Sequence, residues 1–290
     1  MSKPQSPHPL DASVAAALAG LELARPRALL ALGTGIDTFA ERLSGLQRVR
    51  LPDSAALPSR WRGAPLCAGA LAGLPVWLLA DTSGDSPRAG EAEWAAGWPF
   101  WLAARAGARV FALSAAGLAL DSGSPASELQ SAAGSLAFAQ DHLNLSGSSP
   151  LVGLAESTLG PLFPDLSALH DAGLRQAALA ACRARGIAAF ETVVAATAGP
   201  SLATPAERRY YARAGAGIAV QGLAAPLLAA AHAGLCGLTL VAVAESGQGP
   251  ADLPRVLGAA ERALPALEDV LASLAPALAV CADAQVAEDA

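Results

Sequence analysis

From residue 27 onward the chain alternates two kinds of segment. Short apolar runs end in turns rich in Gly, Ser and Thr, and between them lie longer stretches whose apolar positions recur every three or four residues. The first kind predicts buried strands in RALLALGTGID, LPVWLLADTSGDS, RVFALSAAGLAL, AFAQDHLNLSG, AAFETVVAATAGP, GIAVQG and CGLTLVAVAES. The second predicts helices in EAEWAAGWPFWLAARAGA, DLSALHDAGLRQAALAACRARG, PAERRYYARAGA and PLLAAAHAGL, and one long terminal helix over DLPRVLGAAERALPALEDVLASLAPAL. A further helix is expected near Val14 to Ala24, preceded by a disordered tail over residues 1–12. Residues 13–290 read as one domain, because no self-repeat and no linker interrupts them. Strands alternating with helices predict an α/β protein whose mixed sheet is covered on both faces.

Composition sharpens this picture. Hydrophobic residues make up 53% of the 290, much of that alanine, and charged residues only 15%, so large surfaces must be covered by helices or by other subunits. The formal charge of −6 and the absence of a basic run argue against a nucleic-acid partner, which requires clustered Lys and Arg. Every long apolar stretch is broken by charge, Gly or Pro before membrane-spanning length, and the start of the chain lacks the apolar core of a signal peptide. A cytoplasmic protein with no membrane partner is expected.

Chemistry-bearing residues are sparse. Cys67, Cys182, Cys236 and Cys281 are too dispersed for a CxxC motif and read as buried thiols. His8 falls in the tail, and His232 sits among alanines as a packed residue. His142 and His170 read as neither paired with each other nor spaced for a metal, so no metal site is expected. No G-x-S-x-G elbow is present.

Ligands of α/β sheets bind at strand ends, and five such ends carry polar or Gly-rich turns: Gly33-Thr34-Gly35, Thr82-Ser83-Gly84, Ser114 to Gly117, Ala198 to Ser201 and Glu245-Ser246-Gly247. Together they can line one pocket. Gly33-x-Gly35 is half of a dinucleotide fingerprint without its third glycine. It reads either as a tight turn or as an anion cradle built from backbone N–H groups and the Thr34 hydroxyl.

Several segments, in order along the chain, resemble the purine nucleoside phosphorylase family, in particular its trimeric branch. LALGTGIDTFAERL is similar to that family's first phosphate loop, LSAAGL to its Asn-Ala-Ala-Gly-Gly turn, and DHLNLSG to its Asp-His-Ile-Asn-Leu segment. FPDLSALHDAGLR resembles its Phe-x-Asp-Met-Ser-x-Ala-Tyr-Asp-x-x-Leu-Arg motif, and TAGPSLATPAE its Ala-Gly-Pro-x-Phe-Glu-Thr segment. The resemblance implies a three-layer α/β/α nucleoside phosphorylase fold, a single domain with a mixed, partly barrel-like sheet. It implies a phosphate site outlined by Gly33, Thr34, Gly35, Ser114, the Ala115 backbone N–H and Gly222. It implies nucleoside contacts from Ala116, Gly117, Leu202, Ala203, Gln221 and Glu245, no cofactor, phosphate as co-substrate of any reaction, and a homotrimer.

The family's reaction is phosphorolysis of a purine nucleoside, which needs partners for a phosphate dianion and an acid or donor for the departing base. Against the family pattern, the segment DTSGDSPRAGE lacks the His, Tyr and Glu expected there, and Arg88 is differently spaced. The base-recognising Glu falls on Ala203, the aromatic sugar platform on Leu202, and the Met-Ser pair on Gln221 and Gly222. Glu245 stands where the family has its purine-contacting Asn or Asp. It reads as an acid toward a purine nitrogen if burial raises its pKa, or as a solvated or ion-paired loop residue. Two functions therefore stay open: a phosphorylase-like protein that binds a purine nucleoside or base, and a catalytically silent homologue that binds a small molecule or serves in an assembly.

Overall fold

The structure is a computed structural model that describes residues 7–33, 36–80, 90–120, 134–244 and 253–288. In chain order the strands are β1 (Ala28–Leu32), β2 (Ser44–Arg50), β3 (Pro65–Leu71), β4 (Leu74–Ala80), β5 (Val110–Ala119), β6 (Leu136–Leu145), β7 (Ala189–Thr197), β8 (Ile218–Gln221) and β9 (Cys236–Ala244). The helices are α1 (Pro9–Ala19), α2 (Ile36–Ala40), α3 (Trp98–Ala106), α4 (Ala172–Ala184), α5 (Pro205–Arg213), α6 (Ala224–His232), α7 (Leu253–Ser273) and α8 (Ala275–Glu288).

The strands form one sheet in the order β2-β3-β4-β1-β5-β8-β7-β6-β9, and β9 pairs back onto β5. The run from β5 to β9 is therefore closed, while β2, β3, β4 and β1 extend from it as an open wing. Closure removes the exposed edges that an open sheet would leave on this side. Two apolar cores lie on the two faces. One packs α1, α3 and α6 against the sheet through Leu10, Val14, Trp98, Trp101 and Leu227. The other packs α2, α4, α7 and α8 through Phe39, Leu174, Leu267, Val270 and Leu278. This is the expected three-layer α/β/α arrangement with a mixed, partly barrel-like sheet.

The buried indoles are hydrogen-bonded, as amphipathic rings in a core must be. Trp98 Nε1 donates to Ser13 Oγ at 2.8 Å, and Trp101 Nε1 donates to His232 Nδ1 at 2.9 Å. His232 is thus the packed residue expected, with a defined structural partner.

Several elements differ from the sequence reading. Helix α1 begins at Pro9, inside the expected tail, because His8 Nδ1 accepts from Leu10 N at 3.1 Å and caps it, and because Leu10 is fully buried. Ser114 to Gly117 is not a turn but the middle of β5. The expected terminal helix is two, α7 and α8, bent by 52° at Leu274, where Pro276 lacks the N–H that would carry the hydrogen-bond ladder of α7 onward. Among the described residues no single helix is long and apolar enough to cross a membrane. The helix expected from DLSALHDAGLR starts only at Ala172, with Asp171 as its N-cap accepting from Leu174 N at 2.7 Å.

That late start corrects the reading of the histidines. His170 precedes the cap and bridges to Gly237 beside β9, so it faces His142 on β6. The two are paired: His142 Nδ1 and His170 Nε2 lie 3.1 Å apart, with the rings edge to face at 5.3 Å between centroids. Arg175 holds the site from outside by bonding the His170 carbonyl and donating to Glu191 at 2.6 Å. Burial, and then the neighbouring His142, push the His170 pKa down to about 4 from 6.5, and burial lowers that of His142.

The folded pKa of His170 lies below its unfolded value, so between them the unfolded chain binds more protons and stability falls as pH falls. Its contribution is complete above about pH 6.5 and is lost toward pH 4. We expect this group to cost roughly 2 kcal/mol of stability between pH 7 and pH 5. Urea denaturation of His170→Asn at both pH values should show that part of the slope removed. An unchanged slope would assign the acid sensitivity to other groups.

Candidate functional site

The site originates in how β5 divides one of its edges. Its partner on one side is β9, in register from Val110 with Cys236 to Leu118 with Ala244. On the other side β1 pairs in parallel only as far as Leu32 with Ser114, and β8 pairs antiparallel only from Leu118 with Ala219. Between these limits Ala115, Ala116 and Gly117 have no strand on that edge among the described residues. The Ser114 carbonyl points toward β1, because it accepts from Gly33 N at 3.2 Å, and Leu120 N points toward β8 by donating to Gly217 O at 2.8 Å. Backbone polar groups of successive strand residues point to alternate sides. The N–H and C=O of Ala116 therefore face the gap, and those of Ala115 face β9. The Ala115 N–H, expected for an anion, is accordingly turned toward the ladder, and the N–H that faces the gap is that of Ala116.

Small residues make the gap feasible. A Cβ on Gly117 would come within 2.5 Å of Ile218 Cγ2 and 2.8 Å of Val220 and Val241, so only glycine allows β8 and β9 to close here. Gly33 ends β1 with its N–H also 3.1 Å from Ser114 Oγ. That N–H and the buried Ser114 side chain are thus engaged with each other, tying the end of β1 to the middle of β5 at the lip of the gap.

The walls come from two loops and a helix. Thr204 and Glu207 form a capping box at the start of α5, with Thr204 N donating to Glu207 at 2.7 Å. This fixes the end of the loop that carries Leu202 and Ala203. Gln221 Nε2 donates to the Ser201 carbonyl at 2.6 Å, fastening the same loop to the end of β8. Leu253 and Val256, in the first turn of α7, close the remaining side.

The resulting hollow has a volume of about 230 Å³. The structure gathers Gly33, Ser114, Ala115, Ala116, Gly117, Leu202, Ala203 and Gln221 around it, all expected from the sequence. Gly222 is set apart: its N–H donates to Thr197 O at 3.0 Å, and it lines an adjoining hollow of about 130 Å³ that shares Thr197 with the first. Thr34, Gly35, Arg88, Glu245 and the Thr82-Ser83-Gly84 turn lie outside the described residues. Among the described residues lining the larger hollow, none has an ionisable side chain.

The adjoining hollow contains what sequence reasoning missed. Arg60 and Glu91 line it as an ion pair, Nε to Oε2 at 2.8 Å, with side chains only 5% and 4% exposed. Ser59 Oγ and Arg60 N also donate to the Glu91 carboxylate, at 3.0 and 3.1 Å. Burial pushes the Glu91 carboxyl up, but the hydrogen bonds from Arg60 and Ser59 outweigh it and leave the group below the ordinary value. No motif announces this pair, since its members come from segments thirty residues apart.

The profile of the phosphorylase superfamily matches residues 95–276. This is more than half of the chain, and the chain belongs to that superfamily. Purine nucleoside phosphorylase 1 of Bacillus subtilis (strain 168) is 32% identical over 122 residues, covering 42% of this chain and 45% of that protein. The aligned stretch thus spans less than half of that relative. The crystal structure of isoform 2 of purine nucleoside phosphorylase from Schistosoma mansoni, in complex with cytosine and ribose-1-phosphate, superposes with a TM-score of 0.76 at 18% identity, covering 92% of this chain and 95% of that one. A schistosoma purine nucleoside phosphorylase in complex with hypoxanthine gives 0.76 at 18% identity, covering 91% and 95%. These likenesses establish the nucleoside phosphorylase fold, and the family resemblance drawn from the motifs is borne out.

Breaking a buried ion pair costs more than replacing it whole. Arg60→Leu is expected to destabilise the protein by about 3 kcal/mol by stranding Glu91. The double variant Arg60→Leu with Glu91→Leu should recover most of that loss in urea denaturation. Equal losses in the single and double variants would contradict the pairing.

Proposed function

We propose that this chain is a purine nucleoside phosphorylase-like protein whose strand-end hollow takes a purine nucleoside or free purine base. The observation that carries this reading is the gap in the β5 edge at Ala116, enclosed by Leu202, Ala203, Leu253 and Val256. A purine is flat and apolar on its faces and bears donors and acceptors on its rim. A slot with apolar walls and a few fixed polar groups suits such a ligand. The hypoxanthine held by a schistosome enzyme supports the same ligand class.

The neutral lining favours a second reading of the chemistry. A phosphate dianion taken from water needs charged donors, and the described walls offer hydroxyl, amide and backbone groups instead. This supports a homologue that binds the purine without ordinary phosphorolysis. If the reaction does run, phosphate is its co-substrate and Glu245 the acid that protonates the departing base. Assembly as a homotrimer and a cytoplasmic location belong to the same reading and rest on the family resemblance.

Thermal unfolding with hypoxanthine, guanosine, adenosine and phosphate tests binding, since saturating ligand at about 100 times Kd stabilises by roughly 2.7 kcal/mol. We expect hypoxanthine or a nucleoside to raise the midpoint and phosphate alone to leave it unmoved. Ala203→Glu should tighten hypoxanthine binding by roughly ten- to a hundredfold by supplying a charged acceptor, worth roughly 1.5–3 kcal/mol. Phosphate-dependent base release from inosine or adenosine, abolished in Glu245→Gln, would establish the enzyme over the silent homologue. No shift with any purine would overturn the assignment.

A further inference from the structure

At the opposite end of the sheet from this hollow, three metal-ligating side chains converge from three elements. Asp171 caps α4, Cys236 opens β9 and Cys281 lies on α8. The two sulfurs are 3.2 Å apart, and all three candidate ligand atoms lie within 4.8 Å of one another. Both cysteines are nearly inaccessible, 7% and 8% exposed. We propose that Asp171, Cys236 and Cys281 form a binding site for a thiophilic divalent metal ion of the zinc class, one that ties α4 and α8 to the sheet.

The donor set is the first ground. Two thiolates and a carboxylate are ligands that zinc-class ions take in tetrahedral geometry, with three protein ligands leaving a fourth position for solvent. Preorganisation is the second. Asp171 N donates to Gly237 O at 2.9 Å and its Oδ1 accepts from Leu174 N at 2.7 Å, so the carboxylate is oriented beside Cys236 before any ion arrives.

The geometry also separates metal binding from disulfide formation. Zn–S bonds near 2.3 Å at a tetrahedral angle place sulfurs roughly 3.8 Å apart, an opening of about half an ångström from the present separation. A disulfide at about 2.05 Å requires a closure about twice as large, together with an external oxidant. Binding is a plain ligand exchange. Two S–H protons leave to solvent, two metal–sulfur bonds and one metal–carboxylate bond form, and no electrons are transferred.

The site is distinct from the purine hollow. Cys236 pairs with Val110 at the start of β5, whereas Gly117, beside the gap, pairs with Val243. Seven strand residues separate these positions, roughly 23 Å at about 3.3 Å per residue. The expected effect is therefore on stability, independent of ligand binding at the gap.

The test uses the full chain, reduced and stripped of metal with a chelator, and titrated with Cd²⁺ and with Zn²⁺. Cd²⁺ should produce thiolate-to-metal charge-transfer absorption saturating at one ion per chain. Zn²⁺ should release two protons per ion in weakly buffered solution and raise the unfolding temperature. Cys236→Ser and Cys281→Ser should each abolish the absorption, Asp171→Asn should weaken binding about tenfold, and Cys67→Ser, away from the cluster, should change neither. The wild-type titration stands even if a variant fails to fold. Absence of charge transfer in the reduced wild type, or an undiminished signal in the double Cys→Ser variant, would overturn the proposal. So would protein that is isolated two hydrogens lighter and takes up no metal after reduction.

Discussion

The structure depends on a single shared edge. Strand β5 must pair with β9 along one side while dividing the other between a parallel partner, β1, and an antiparallel one, β8. These two partners run in opposite senses and do not meet along the edge, and the gap between them falls on Ala115, Ala116 and Gly117. Backbone N–H and C=O groups withdrawn from a ladder need another partner, and Ala116 presents one of each toward the hollow. Closure of the barrel-like part of the sheet and creation of the hollow are thus one event. Gly117 is its steric condition, because any larger residue there collides with β8 and β9.

Much of this was legible in the sequence because it is written in local pattern. The apolar runs mark the strands of the closed sheet, the Gly- and Ser-rich stretches mark Gly33 and Ser114 to Gly117 beside the hollow, and Leu202, Ala203 and Gln221 follow from the family resemblance. What escaped has physical reasons. Strands β2 and β3 form an antiparallel extension of the open wing, and β2 is exposed or half-buried throughout, so no apolar run marks it. The His142–His170 contact and the Arg60–Glu91 pair join residues about thirty positions apart. Only the packing of the elements that carry them brings these residues together. Which of the Ala115 and Ala116 N–H groups faces the gap depends on the strand's hydrogen-bonding phase, which its neighbours set and which leaves no trace in residue type.

The distribution of charge gives the site its character. Near the hollow, the buried charges of Arg60 and Glu91 neutralise each other, and the described walls of the hollow itself are uncharged. What the described walls offer a ligand is shape and backbone groups, which tolerate drift in side-chain identity so long as the strand register holds.

The most direct measurement is an isotope-labelled amide spectrum of the full chain titrated with hypoxanthine. Saturable displacement of the Ala116 amide resonance, accompanied by those of Leu202 and Gln221, is the result this account requires. Saturable binding that leaves these three unmoved while perturbing amides elsewhere would place the ligand away from the β5 gap and contradict it.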